Sequence, residues 1–387
     1  MTATPLTHDA PSAHTDPVNT PTIDDPGRET GGTPRLRALI RRRITGPLSV
    51  AEAWLTDRKH AQYGLAMARM LIGVAIIGFC LTNFATRNYT FGAGAAWSGQ
   101  LQFSDSDFAG IWPFSLVNAT ADNSIALGAV FCILIASGIA IAIGWRTRIA
   151  MTIAFVFWVG LLSINVDVQD QSDNLSRMAM IYLFFTSPAH VWSLDARRRA
   201  RSADTGNILR RWWNFQPALP ARFTTLLHNL AVIVLGAQLC MLYAAGGLYK
   251  AQGAPWYRGY AIYNPLQTAQ FGTWPELSHL ITVWAPLVAL GTIMTVLVQV
   301  GFPLLLMRRP TRVFALLVIL GFHSAIGLLM GLPWFSLWML ALDSLFVRDA
   351  TYRTMAHYAK GPSVSLAKKL RHNTTTTTTT PSLSPQQ

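Results

Sequence analysis

Long apolar stretches, separated by short polar ones, dominate the chain between residues 61 and 350. A helix that spans a bilayer needs roughly 20 mostly apolar residues. On this criterion the pattern predicts eight spans, at 63–85, 124–144, 149–166, 175–194, 224–249, 279–307, 313–330 and 332–347. We therefore predict an all-α integral membrane protein, a polytopic bundle of about eight transmembrane helices with two long outer loops.

The positions of Lys and Arg predict the orientation of these helices, because short loops rich in them stay in the cytoplasm. Basic clusters precede the first span and follow the second, fourth and sixth, as in "RLRALIRRR", "GWRTR", "DARRRARS" and "MRRPTR". The alternating loops, 86–123 and 250–278 among them, are poor in Lys and Arg. This pattern predicts a multi-pass protein of the cell membrane with both termini cytoplasmic.

Loops 86–123 and 250–278, predicted to lie on the outer side, are rich in aromatic residues. Trp and Tyr favour the headgroup level of any membrane, so the two loops fit an interfacial belt. The alternative is a lid that folds over a site at the outer mouth of the bundle, and the belt is the favoured interpretation.

Overall composition supports the membrane assignment and argues against a nucleic-acid partner. The chain is 51% hydrophobic and 13% charged, whereas soluble domains are about a quarter charged. The net charge of +13 comes from short basic clusters between apolar stretches. Such clusters orient membrane helices and are not typical of a nucleic-acid-binding surface. The three cysteines lie in apolar runs, so we predict neither a disulfide framework nor a metal site.

The two ends of the chain differ from its middle. Residues 1–34 are polar and rich in Pro, Thr and Asp, and such a segment cannot bury enough apolar surface to fold. We predict a cytoplasmic tail over 1–60, disordered over 1–34 and without a cleavable signal peptide. A membrane domain over 61–350 follows, and then a cytoplasmic low-complexity tail over 351–387.

Ionisable residues inside apolar spans are costly and are normally turned inward with a partner. Arg69 lies about two turns into the first span, where its long stem can snorkel to the inner interface or pair inside the bundle. His323 lies near mid-depth, as a packing or a functional histidine. Asp173 and Arg177 are spaced for a local ion pair at a helix end.

Lys250 closes the fifth span in "LYAAGGLYKAQGAPWYRGY". The helix from residue 224 reaches roughly 39 Å by this point, which is the outer interface or just beyond it. The other lysines all fall in predicted cytoplasmic segments. Taken alone, this position favours an interfacial anchor.

Several segments, in order, resemble the HTTM family, the membrane domain related to vitamin K-dependent γ-carboxylases and to sporulation-delaying protein B. They are "ARMLIG", "GWRTR", "DNLSRMAMIYLFFTSPAHVWSLDARRR", "AQLCMLYAAGGLYKAQGAPWYRGYAIY" and "GFHSAIGLLMGLPWFSLWML". The resemblance covers about residues 61–350. It implies a catalytic role for Lys250, as the base that deprotonates reduced vitamin K or menaquinone, and for His323. It also implies that Trp256 and Tyr243 bind this cofactor.

Two departures from the carboxylases limit what the resemblance implies. Leu175 stands where those enzymes carry a histidine of the carbanion step, and the segment after the last span is short. Carboxylation of a tethered glutamate is therefore not expected.

One hypothesis is a quinol-dependent, carboxylase-related enzyme with an outward-facing site. The alternative is a non-catalytic accessory protein, similar to sporulation-delaying protein B, that helps to mature or export a secreted peptide. A transporter ranks last, because the spans show no convincing inverted repeat and carry few acids.

Overall fold

The structure, a computed structural model, describes residues 49–92, 108–201 and 219–360. The chain divides into two compact units, 1–52 and 53–387. Of the first unit, the described residues 49–52 are helical; the predictions for 1–34 and for 361–387 lie outside the described residues, as does part of loop 86–123. All elements below belong to the second unit.

Eight helices form the body of this unit, and within its described residues there is no strand. They are α1 (Gln62–Asn83), α2 (Ser124–Ile143), α3 (Thr147–Ile164), α4 (Gln171–Phe185), α5 (Ala221–Ala251), α6 (Ala285–Leu305), α7 (Arg309–Leu329) and α8 (Pro333–Asp343). Shorter helices lie at Arg87–Thr90, Phe114–Asn118, Leu194–Arg201, Ala254–Tyr257, Tyr263–Gln267, Pro275–Val283 and Asp349–Lys360, with 3₁₀ turns at Val166–Val168, Ala269–Phe271 and Ser344–Phe346.

Six of the eight helices are long and apolar enough to cross a membrane: α1, α2, α3, α5, α6 and α7. These six match predicted spans, so the prediction of a multi-pass helical membrane protein is confirmed. The other two, α4 and α8, have 15 and 11 residues, fewer than the roughly 20 that a bilayer requires. The count of eight complete spans stays a prediction.

The predicted span 279–307 is broken in two. Helix Pro275–Val283 ends, Trp284 has extended backbone angles, and α6 begins at Ala285. Pro286 explains the break, because it supplies no N–H to the carbonyl of Thr282 and is tolerated in the first turn of a helix, where it stands in α6.

Helices α1 and α8 lie at the centre of the bundle. Helix α1 packs on α2 and α8, while α8 also contacts α4 and α7. Glycines allow the closest crossing: a Cβ at Gly73 would lie 2.6 Å from the Gly138 carbonyl oxygen, so the α1 and α2 backbones nearly touch. Small residues permit this kind of approach between membrane helices.

The outward faces of the spanning helices carry large apolar side chains. On α5 and α6 these include Leu230, Ile233, Val234, Met241, Leu290, Ile293 and Leu297, all exposed. A water-exposed helix would place polar residues on this face. The exposed apolar surface therefore supports a lipid environment.

The two ends of the bundle are distinguished by contacts between helix termini. Near the start of α5, His228 accepts the N–H of Ser187 and Asn229 donates to the carbonyls just before α1. At the opposite end, the Trp334 indole donates to Thr82 Oγ1. We call the Trp334 end, which also carries the C-terminus of α5, the outer end and the His228 end the inner end, after the sides that the charge pattern predicts.

Candidate functional site

A buried hydrogen-bonded group joins three helices of the bundle. The Tyr243 hydroxyl on α5 donates to Asp343 Oδ2 on α8 at 2.7 Å and lies 3.0 Å from His323 Nε2 on α7. The exposed fractions of the three side chains are 2%, 5% and 2% for Tyr243, Asp343 and His323. We call these residues the Tyr-His-Asp group; on α5 and α7 it lies about two turns before the C-terminus of each helix.

The hydrogen bonds assign a tautomer to His323. A tyrosine hydroxyl has one hydrogen, and here it goes to Asp343. His323 Nε2 must therefore carry the hydrogen of the other bond, which leaves Nδ1 as an acceptor. Nδ1 and Asp343 Oδ1 are both buried, and neither has a hydrogen-bond partner among the described residues. Two unpaired acceptors are thus available inside the bundle, where such atoms are normally paired.

Aromatic rings enclose the group. The Tyr243 ring lies 4.6 Å from that of Phe302, and the His323 ring lies 5.8 Å from that of Phe335. Apolar walls of this kind exclude water and strengthen every electrostatic interaction inside them. A proton held here cannot easily be lost to bulk solvent.

Helix α5 connects this group to Lys250. Tyr243, Gly247 and Lys250 are spaced four and three residues apart and so lie on one face, with Lys250 roughly 10 Å further along the helix. A Cβ at Gly247 would lie 2.7 Å from the Val300 backbone nitrogen and 3.0 Å from the Gln299 Cβ, so α6 approaches α5 closely between the two residues. Gln299 is 3% exposed, and its Oε1 has no hydrogen-bond partner in the part of the chain that the structure describes.

Lys250 is partly buried at the outer end. Its Nζ makes a long hydrogen bond of 3.5 Å to the Gly246 carbonyl and lies 5.7 Å from the centre of the Trp256 ring. Lys250 is also close enough to His323 to act on it electrostatically. The sequence-predicted residues Lys250, Trp256, Tyr243 and His323 therefore lie in one region. This position suits a base and equally suits an anchor, so the role of Lys250 stays a prediction.

Arg69 does not snorkel, and that interpretation was wrong. The side chain is 1% exposed, and its guanidinium donates to the carbonyls of Ile141, Ala142, Pro188 and Trp192. It thereby caps the C-terminus of α2, where a cation is favoured by the helix dipole. Its hydrogen bonds also join α1 to the segment that follows α4. The alternative reading, a partner inside the bundle, is the one the structure supports.

Asp173 and Arg177 make hydrogen bonds at the start of α4. Asp173 Oδ2 accepts the N–H of Asp170 in a capping box, and Arg177 donates to Gln169 Oε1 at 3.3 Å. Burial and the neighbouring Asp170 raise the pKa of Asp173 to about 7. Leu175 packs in the apolar core. These contacts favour a helix-end role for the pair.

Sequence reasoning missed Asp343 and Gln299. Both stand inside predicted spans, and an acid or amide at that depth was the available signal. The fold places Asp343 beside Tyr243 and Gln299 beside Gly247, and the sequence did not predict either contact. Among the described residues, no group of three or more His, Cys, Asp or Glu side chains could hold a metal ion.

Comparison with known proteins gives one match. The model of the HTTM domain matches residues 58–350. No curated protein matches the chain, and no solved structure matches it. The matched segment exceeds half of the chain and contains all eight helices and the Tyr-His-Asp group. The chain therefore belongs to the HTTM-domain family.

Proposed function

We propose that this HTTM-domain protein is a membrane enzyme related to the quinol-dependent carboxylases, with its site between Lys250 and the Tyr-His-Asp group. The observation that supports this most strongly is the buried hydrogen-bonded group itself. Burying a histidine and a carboxyl together in a bilayer is costly. A purely structural helix contact could use apolar residues instead.

The residues of this region fit a reduced quinone such as menaquinol or reduced vitamin K. When bound, that cofactor supplies an ionisable hydroxyl and two electrons. Among the described residues, Lys250 offers an amine with one long hydrogen bond, Trp256 an aromatic face, and Gln299 an unpaired amide oxygen. Lys250 and Trp256 are the residues we assign to hold the cofactor. Tyr243 is already committed to His323 and Asp343, so we assign it to proton handling.

Each protein group then has a defined task. Lys250, in its neutral form, accepts a proton at Nζ as a general base. Once His323 Nδ1 takes up a proton, Nε2 can pass its hydrogen to the Tyr243 hydroxyl while that hydroxyl passes its own to Asp343 Oδ2; His323 then returns to its neutral form and the proton has been relayed to the carboxylate. The surrounding aromatic rings keep water away from that relay.

Mass spectrometry of the purified protein tests this proposal. Wild-type protein expressed in a host that makes menaquinone should retain it, and Lys250→Ala should retain less. The matched control is Arg258→Gln, which removes an exposed cation from the same outer loop. If wild type retains no quinone, and Lys250→Ala behaves as wild type in cells, the enzyme proposal is wrong. The accessory role in maturing or exporting a secreted peptide would then be favoured.

A further inference from the structure

Four basic side chains lie close enough to interact electrostatically at the inner end of the bundle, away from the Tyr-His-Asp group. They come from three separate segments: Lys59 before α1, Arg148 in the first turn of α3, and His190 and Arg199 in the segment after α4. Basic loops on the cytoplasmic side are expected from topology alone. Topology does not require that such residues be packed together.

Hydrogen bonds attach two of these cations to one turn. Lys59 Nζ donates to Ser187 Oγ at 2.7 Å, and Arg199 donates to the Ala189 carbonyl at 2.5 Å. The turn is closed by a bond from the His190 N–H to the Ser187 carbonyl, at 3.1 Å. Lys59, His190 and Arg199 are therefore held around the four-residue turn 187–190.

Asp195, the acid that interacts with Arg199, already accepts three hydrogen bonds. Asp195 accepts the N–H groups of Arg146 and Thr147 at 3.0 and 2.9 Å, and the Thr147 hydroxyl at 2.9 Å. It thus caps the start of α3, four residues before Arg199 in its own short helix. The carboxylate satisfies backbone donors there, and within the described part of the chain no acid acts on Lys59 or Arg148.

Mutual repulsion among the cations is evident in their electrostatics. The pKa of Lys59 is lowered, first by burial and then by the charges of Arg148 and Arg199. Arg199 and Lys59 also act on His190. Cations that repel one another in a folded protein are stabilised by a bound anion.

We propose that Lys59, Arg148, His190 and Arg199 form a binding site for a phosphate group. Guanidinium and ammonium groups that converge from different directions suit the three free oxygens of a phosphate. At this end of the bundle the phosphate belongs either to an anionic phospholipid headgroup of the inner leaflet or to a soluble phosphate ion, and lipid fits the position between helix ends at the membrane surface.

Binding to lipid of defined composition tests the site. The purified full chain is incubated in neutral detergent with phosphatidylglycerol, with phosphatidylcholine, or with inorganic phosphate, and affinity is measured from the shift in melting temperature. We expect phosphatidylglycerol to bind wild type and Lys59→Gln/Arg199→Gln to bind it about 30-fold more weakly, since each cation near a membrane surface contributes about 1 kcal/mol. The control, Arg308→Gln/Arg309→Gln, removes two exposed cations from another predicted inner loop and should bind as wild type does.

The outcomes separate the two sources of phosphate. Binding of inorganic phosphate at equal affinity, with the same loss in the double variant, assigns the site to a soluble ion. Equal losses in the site and control variants, or no binding in any arm, would overturn the proposal. If the double variant does not fold, Arg148→Gln decides: its side chain is exposed, and we expect about fivefold weaker binding. Unchanged binding there would also overturn it.

Discussion

Tyr243→Phe removes one oxygen atom from the centre of the bundle and is the sharpest test of the Tyr-His-Asp group. The hydroxyl makes two buried hydrogen bonds, to Asp343 and with His323. Without it, both oxygens of Asp343 and both ring nitrogens of His323 lack partners, because Oδ1 and Nδ1 already have none. The ring remains, so its packing against Phe302 is kept.

The size of the effect follows from these two bonds. Side-chain hydrogen bonds between membrane helices contribute about 0.6 kcal/mol on average and up to about 1.7 kcal/mol. Loss of one partner also leaves a desolvated polar group, which costs about 1–3 kcal/mol. We therefore expect Tyr243→Phe to lower the free energy of unfolding by about 2–3 kcal/mol.

Unfolding of the purified protein in bicelles, followed by circular dichroism during denaturant titration, measures this free energy. Tyr352→Phe is the matched control. Its buried hydroxyl donates to the Ser344 carbonyl at 2.9 Å, so the same atom is removed and one neutral hydrogen bond is lost. We expect that variant to lose about 1 kcal/mol.

A double variant identifies the cause. With Asp343→Leu already present, Tyr243→Phe should cost clearly less than it does alone, because the carboxyl it would leave unpaired is gone. The reasoning is refuted if Tyr243→Phe costs no more than Tyr352→Phe, or if the two substitutions in the bundle add independently.

Two further predictions concern the helix crossing and pH. Gly73→Ala should destabilise the protein by about 1–3 kcal/mol, since its Cβ meets the Gly138 carbonyl oxygen on a backbone that cannot easily move. The control Gly321→Ala, with open space around its Cβ, should be neutral or stabilising, and equal melting temperatures of the two variants would contradict the crossing. Burial and Asp170 raise the pKa of Asp173 from 3.8 to about 7, so the stability it contributes is fully present below 3.8 and is lost as pH rises through 7. Asp173→Asn keeps an acceptor for the Asp170 N–H and should flatten the dependence of melting temperature on pH between about 4 and 7; an unchanged pH profile would refute this assignment.

The sequence predicted the helices well where long apolar runs decided the structure. α1, α2, α3 and α7 lie within a few residues of their predicted bounds. It failed to predict the break at Trp284, since the apolar pattern continues through it and only Pro286 signals it. It also overestimated α8, which ends at Asp343 rather than 347 and is followed by a 3₁₀ turn.

The site was only partly predictable, because its geometry depends on contacts between distant segments. Lys250 and His323 stood out as ionisable residues in or at the end of a span, the resemblance added Trp256 and Tyr243, and all four lie in one region. Asp343 is 100 residues from Tyr243 along the chain, and the periodic pattern of apolar residues does not predict which distant side chains come into contact. The interpretation that Arg69 snorkels failed for the same reason, since two of the partners of Arg69, Pro188 and Trp192, lie in a loop more than 100 residues away.

The rate of menaquinol consumption in proteoliposomes tests the central claim most directly. Wild-type protein, supplied with menaquinol, oxygen and bicarbonate, should consume the quinol, and Arg258→Gln should match it. Lys250→Gln should lower the rate by about 10²–10⁴-fold, the contribution of a general base. Equal rates for Lys250→Gln and wild type, or no consumption above protein-free liposomes, would contradict the assignment of Lys250 as the base.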